Sequence, residues 1–417
     1  MRILLILLLS LAAHSQPLLL RTGKLFDSRR GELVAGQDIL VQGESIAQVG
    51  VNLPVPAGAR VVDLRDYTVL PGLIDMHTHL LHLSKPGSSF GDDVSEILQE
   101  GLPLRALRGA ARARTFLLAG ITTVRDLGNC GLFGDVALST AIQEGSVEGP
   151  RMWVSGPGLS AEGGQFRGLQ PAHRALASEE YRIVRGVEDA RVAVRENVAG
   201  GANLIKIYSD SLPNTTYLSS AEMRAIVDEA HSMQLKVAAH ATSDASALRA
   251  VEAGVDSIEH GYALSDRTLQ VMKERGTFVV PTNVDQGNLE RMHKIHPFEG
   301  ASPAGIARFQ AAQLSRVLAS HVKVAAGSDM YLDLNIPQGE AARGVLFSYR
   351  DAGMPPSEVL RAATLNAAEL LGEKRLGVLE AGAYADIVAV DGNPVEQLEA
   401  LQRPIFVMKA GKIFRDL

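Results

Sequence analysis

Leu73-Ile74-Asp75-Met76-His77-Thr78-His79 reads as a short apolar strand that ends in two histidines one residue apart. On an extended chain, side chains two positions apart project to the same side, so the His77 and His79 imidazoles share a face. Two neutral imidazole nitrogens presented together suit chelation of one metal ion. Further along the chain, short apolar strands keep alternating with longer helical patterns. The strand candidates are 73–79, 122–127, 151–155, 204–209, 236–241, 257–260, 278–282 and 324–329. Between them lie helix-like stretches such as 105–118, 188–199, 221–233, 245–253 and 304–320, with Ser220 and Ser243 placed as N-caps. Eight strands, each followed by a helix and joined right-handedly, close into a (β/α)8 TIM barrel. A doubly wound open sheet is the alternative, but no G-x-G-x-x-G follows the first strand.

The two ends of the chain read differently. Stretches 18–26, 38–49 and 60–69 are β-rich and broken by Gly and Asp turns, and 385–390 and 405–412 return to that style. A small composite β-sandwich built from both ends is expected, with 16–70 and 373–417 flanking a barrel at 71–372. Residues 1–15 read as a signal peptide: a charged Arg2, a short apolar run over 3–13, and Ala13-His14-Ser15 before the cleavage point. The mature protein is therefore expected to be secreted or periplasmic. No later stretch is long and apolar enough for a transmembrane helix. The formal net charge of −6 shows no basic excess, which argues against nucleic acid or an anionic membrane as partner. The small-molecule substrate is the expected partner, and homo-oligomerisation stays open. Cys130 is the one cysteine, so no intramolecular disulfide forms, and it reads as a small loop residue rather than a nucleophile.

In a TIM barrel the C-terminal ends of the strands face the active site. Those ends carry His77, His79, Lys206, His240, His260 and Asp329. Singly, each has a bland explanation: a hydrogen-bonded core histidine, or an aspartate capping the next helix. Six such residues at the strand ends of one barrel point instead to a metal centre. Lys206 sits in Leu204-Ile205-Lys206-Ile207-Tyr208, where burial would disfavour its ammonium. A neutral lysine amine can add carbon dioxide to become a carbamate, a two-oxygen ligand able to bridge two metals. The other reading is a lysine ion-paired inside the barrel, for example to Asp329.

Together these segments resemble the amidohydrolase superfamily, in its prolidase-like and imidazolonepropionase-like branch. The resembling motifs are Leu70-Pro71-Gly72-Leu73-Ile74-Asp75-Met76-His77-Thr78-His79, Gly120-Ile121-Thr122-Thr123-Val124-Arg125-Asp126 and Ile205-Lys206-Ile207. Val237-Ala238-Ala239-His240-Ala241, Gly254-Val255-Asp256-Ser257-Ile258-Glu259-His260-Gly261 and Ala326-Gly327-Ser328-Asp329 extend the likeness. Ala363-Thr364-Leu365-Asn366-Ala367-Ala368 and Ala385-Asp386-Ile387-Val388 carry it across nearly the whole mature chain. Carried over by position, the resemblance implies that His77, His79 and Asp329 hold one metal. It gives His240 and His260 to a second, with carboxylated Lys206 bridging both and zinc the usual occupant. Asp329 would also carry the proton from water to the leaving nitrogen.

The implied substrate is a small amide or dipeptide with a free C-terminal carboxylate, such as an Xaa-Pro dipeptide or an N-acyl amino acid, ochratoxin-type amides included. Its carboxylate needs a cationic or multi-donor receptor. Arg125 and Arg167 are candidates, although Arg125 could equally pair with an acidic barrel residue. His173 and Tyr208 are further pocket candidates. Thr242 stands where relatives often carry Tyr or His, and Gln165 stands where many carry a histidine after paired glycines, so both bear on substrate choice. His82, His231, His293, His296 and His321 read as surface or helix residues, and the breaker-rich loop 82–94 as a lid or an exposed loop. A lactonase or cyclic-amide hydrolase on the same scaffold is the alternative activity, and a non-catalytic scaffold the remote one.

Overall fold

A computed structural model of the chain describes residues 16–84, 93–128, 131–166 and 168–417. The expected signal peptide at 1–15, Cys130, Arg167 and positions 85–92 of the expected lid lie outside the described residues. Among the described residues, no helix is long and apolar enough to cross a membrane.

In chain order the first strands are β1 (Leu18–Asp27), β2 (Glu32–Ala35), β3 (Asp38–Gln42), β4 (Ser45–Gly50) and β5 (Arg60–Pro71). The middle of the chain contributes β6 (Leu73–Thr78), β7 (Ile121–Asp126), β8 (Arg151–Val154), β9 (Gly158–Ser160) and β10 (Tyr181–Ile183). It continues with β11 (Ile205–Tyr208), β12 (Val237–Ala241), β13 (Ser257–His260) and β14 (Phe278–Val280), and the chain finishes with β15 (Ile387–Val390), β16 (Pro404–Lys409) and β17 (Lys412–Arg415).

Strands from both chain ends share one hydrogen-bonded set of eight strands. The joint is β5, which pairs in parallel with β1 and antiparallel with β15. Alternation along β15 shows how the sheet uses its two faces. Ile387 and Ala389 enter an apolar cluster with Leu20, Ile39, Val62 and Phe406, whereas Val388 and Val390 enter the core of the central α/β unit. A period of two on a strand produces that division.

The central unit is barrel-like, with parallel strands in two arcs rather than one closed ladder. β6, β7 and β8 form a three-stranded arc, and β10-β9-β11-β12-β13-β14 a six-stranded one. The third expected strand breaks at Ser155-Gly156-Pro157: β8 pairs with β7, and β9 then pairs with β11. The eighth expected strand, 324–329, does not form. It keeps one bridge, Val324 to Val279, and single hydrogen bonds in which Met76 N donates to Ala326 O (2.8 Å) and Asp329 N donates to His77 O (2.8 Å). Gly327 lets this segment pass close to its neighbours, since a Cβ there would stand 2.3 Å from Val280 Cγ1 and 3.0 Å from His77 N.

Helices cover the strands, and their starts follow local chemistry. Ser243 caps the helix Asp244–Ala253 as expected. For Ser220–Ser232 the cap is Ser219, one residue earlier than expected, because that places Glu222 at the third helical position and completes a capping box.

Candidate metal centre

His77 and His79 leave the end of β6 with their Nε2 atoms 3.2 Å apart. Asp329 Oδ1 lies 3.2 Å from His79 Nε2 and 3.7 Å from His77 Nε2. The outer ring nitrogens are already committed. His77 Nδ1 is 2.7 Å from Glu259 Oε2, and His79 Nδ1 is 2.8 Å from the Gly128 carbonyl oxygen. Each Nδ1 must donate to those oxygens, so in the neutral rings both Nε2 atoms present lone pairs. Two lone pairs and a carboxylate oxygen facing one point repel unless a cation stands there. The donor set therefore fits a metal ion, in the arrangement where an outer carboxylate or carbonyl fixes the tautomer of each ligating histidine. His260 joins this group: its donor atom, one from His77 and one from Asp329 lie within 4.8 Å of one another.

Strand ends position these groups under strain. His260 and Asp329 have φ of 70° and 51°, and Thr282, which bonds His260 Nδ1 at 2.8 Å, has 52°. Non-glycine residues in this region cost about 1–3 kcal/mol each and persist where surrounding structure imposes them. Asp75 supplies part of that structure, since its Oδ1 accepts from His77 N (3.1 Å) and Ser328 N (2.9 Å). One buried carboxyl thus ties the segment bearing His77 to the one bearing Asp329. Burial pushes the Asp75 pKa up to about 7.

Lys206, His240 and His260 make the other side. Lys206 on β11 is 1% exposed. Burial lowers its pKa to about 8, against attraction from Glu259 and Asp329 and with Arg125 lowering it further. The His240 and His260 rings are 4.6 Å apart. Burial, then the neighbouring His240, pushes the His260 pKa down to about 3, so His260 stays neutral as a ligand must. Burial alone would raise the pKa of Asp329, but in the metal-free protein positive charge on His77 and a hydrogen bond from protonated His79 hold it well below the usual carboxylate range, the pull that a metal cation would exert in their place. His240 Nε2 is 3.3 Å from Asp210 Oδ1.

Residues 68–414 match the amidohydrolase family. The chain belongs to that family. It is a hydrolase acting on amide bonds, in a generally metal-dependent family, and its branch is the prolidase-like one. It is 28% identical over 426 aligned positions to an ochratoxinase of Aspergillus niger, covering 92% of this chain and 84% of that protein. Among solved structures it is similar to a prolidase complexed with N-methylphosphonate-L-proline, at 31% identity and a TM-score of 0.82. A Xaa-Pro dipeptidase with methionine bound in its active site is similar at 26% identity and a TM-score of 0.83. Each of these two comparisons covers 96% of the chain and 100% of the solved one.

The other expected site residues of this amidohydrolase fall in several places. Arg125 is 1% exposed and fully engaged: Nη2 donates to Glu259 Oε1 (2.7 Å), Nε to Met76 O (2.7 Å) and Nη1 to Ser257 Oγ (3.1 Å). Pairing with an acidic barrel residue, rather than with a substrate carboxylate, is the arrangement present. Tyr208 is buried against the His240 and Tyr181 rings at 5.3 and 5.2 Å. Thr242 gives both its N–H (2.8 Å) and its hydroxyl (3.1 Å) to Asp210. Gln165 is half-buried, accepting from Tyr181 (3.3 Å) and donating to Leu212 O (3.4 Å). His173 is exposed on the 3-10 helix Pro171–Glu179. His82, expected at the surface, is buried beside the Tyr331 ring at 5.1 Å, because the chain turns inward after β6. Glu259 and Asp210, like Asp75 and Thr282, were given no role from sequence. Glu259 holds His77 and Arg125 together, and its signal was its place directly before His260. Asp210 organises Thr242 and approaches His240, and only its position two residues after β11 hinted at that.

Proposed function

We propose that this amidohydrolase is an exported, binuclear metal enzyme that cleaves small amides bearing a free C-terminal carboxylate. Xaa-Pro-like dipeptides and N-acyl amino acids, ochratoxin-type amides included, are the substrate class. The observation that carries the reading is the convergence of the His77 and His79 lone pairs with Asp329. The substrate class draws on the ochratoxinase and prolidase relatives. We read the two arcs and the 324–329 segment as one barrel, whose strand-end loops ring a pit that admits small substrates.

In this reading His77, His79 and Asp329 hold one divalent ion, and His240 and His260 the other. Lys206, as a carbamate, would serve as a ligand shared by the two, and zinc is the occupant proposed. Metals so held supply a more acidic water and a polarised carbonyl. Asp329 would be the residue placed to take up a proton from water and pass it to the leaving nitrogen, which would otherwise depart as a poor anion. Glu259 keeps His77 in one tautomer, and Arg125 holds Glu259 in place. With Arg125 so engaged, the substrate carboxylate falls to the loop after β9, which carries Gln165 and, in sequence, Arg167.

A dipeptide compared with its own C-terminal amide tests this directly. Losing a charge-assisted contact should lower kcat/KM on the amide by about tenfold to a hundredfold. Equal efficiency on both would dismiss the carboxylate requirement. Strong preference for a lactone over every amide tried would replace the activity with lactone hydrolysis.

A further inference from the structure

A cavity of about 680 Å3 lies between the barrel and the terminal sheet. It is lined by Leu118 and Ala119, just before β7, and by Pro404 and Ile405, where β16 starts. Barrel strands begin at this end, so it is the end opposite His77, His260 and Asp329. Small-molecule pockets occupy roughly 300–1,000 Å3, so the size suits a ligand rather than a packing defect.

Three arginines border the space: Arg343, Arg403 and Arg415. Among the described residues none of them forms a salt bridge. Arg343 is only 5% exposed, and its Nε is buried with no hydrogen-bond partner. Its other two nitrogens donate to the carbonyls of Ala119 (3.0 Å) and Gln402 (2.7 Å). Arg415 donates to Pro404 O (2.9 Å). Of the acidic residues on the lining, Asp416 is taken by Arg60 at 2.6 Å, and Glu340 attracts Arg343 without pairing with it. Burial first, then the proximity of Arg415, lowers the Arg343 pKa to about 10. A buried guanidinium that hydrogen-bonds only to carbonyls, with Glu340 near but not paired, has its desolvation only partly offset. The planar fork of arginine matches a carboxylate, and Tyr67, Leu118 and Ile405 offer apolar wall beside it.

From this geometry we infer a second ligand site, at the end of the barrel away from the metal centre, for a small organic carboxylate with an apolar body. Phenylacetate serves as the probe and phenylacetamide as its neutral counterpart, both titrated calorimetrically into the metal-loaded protein. Phenylacetate should bind saturably, and the R403Q/R415Q double variant, altered only at exposed positions, should weaken that event by about tenfold or more. Arg343→Lys, which keeps the charge but loses the fork, should weaken it as well. Turnover of an amide substrate should be unchanged in R403Q/R415Q, which separates this site from the catalytic one. No saturable binding of phenylacetate, equal binding of phenylacetamide, or an isotherm unaltered in R403Q/R415Q would each overturn the inference.

Discussion

Asp329→Asn should lower kcat by at least about 10²-fold, the lower end of what a general acid–base group contributes, while both metals remain bound. The substitution isolates proton transfer from geometry. Asparagine has nearly the shape of aspartate and tolerates the left-handed backbone, so the φ of 51° at this position is retained. One side-chain oxygen remains to face His77 and His79. What disappears is a carboxylate that can take a proton and release it. The decisive experiment is single-turnover kinetics at saturating metal, with metal content measured on the same sample. A variant that holds both ions and keeps near-native kcat would remove Asp329 from the proton-carrying role.

Lys206→Ala should lose metal and activity together, beyond the ~10–100-fold effects of removing an outer partner of a metal ligand. The residue is buried at the heart of the site, on a strand whose neighbour presents Ala238 opposite it. A lysine serving only as an ion-pair partner of Asp329 or Glu259 would, once removed, alter stability more than metal content. Lys206→Met separates the two cases by restoring apolar volume without a ligand, so it should fold and still fail to hold the bridged pair. Acetate or propionate should partly restore both metal and turnover in Lys206→Ala by filling the bridge. If Lys206→Ala binds two metals and turns over normally, the carbamate idea is wrong.

The middle of the chain was legible wherever the determining forces are local. The apolar runs that became β6, β7, β11, β12 and β13 lie within a residue or two of their expected limits, because buried strands are short, apolar and followed by turns. The four histidine candidates could be named since strand ends announce themselves by where the apolar run stops. Features set by distant neighbours were not legible. Segment 324–329 has a strand's composition, yet it passes close to Val280 and His77 at Gly327 and keeps only one bridge. Arg125 could face a substrate or a carboxylate on another strand, and only the meeting of β7 with Glu259 from β13 decides it. Likewise, the burial of His82 depends on Tyr331, about 250 positions away in sequence but next to it in the fold. The terminal sheet shows the same division: that both chain ends contribute to one β unit was expected, while the role of β5 as the joint between β1 and β15 was not.

Stepwise reconstitution addresses the centre itself. Metal should be removed with a chelator and zinc returned in sub-stoichiometric steps, with bound metal and dipeptide hydrolysis followed on the same samples. Six ligands built around one bridge should hold two ions, so turnover should keep rising until about two equivalents per chain are bound. Full turnover reached at one equivalent, with the second binding weakly or not at all, would contradict a binuclear centre at His77, His79, Lys206, His240, His260 and Asp329.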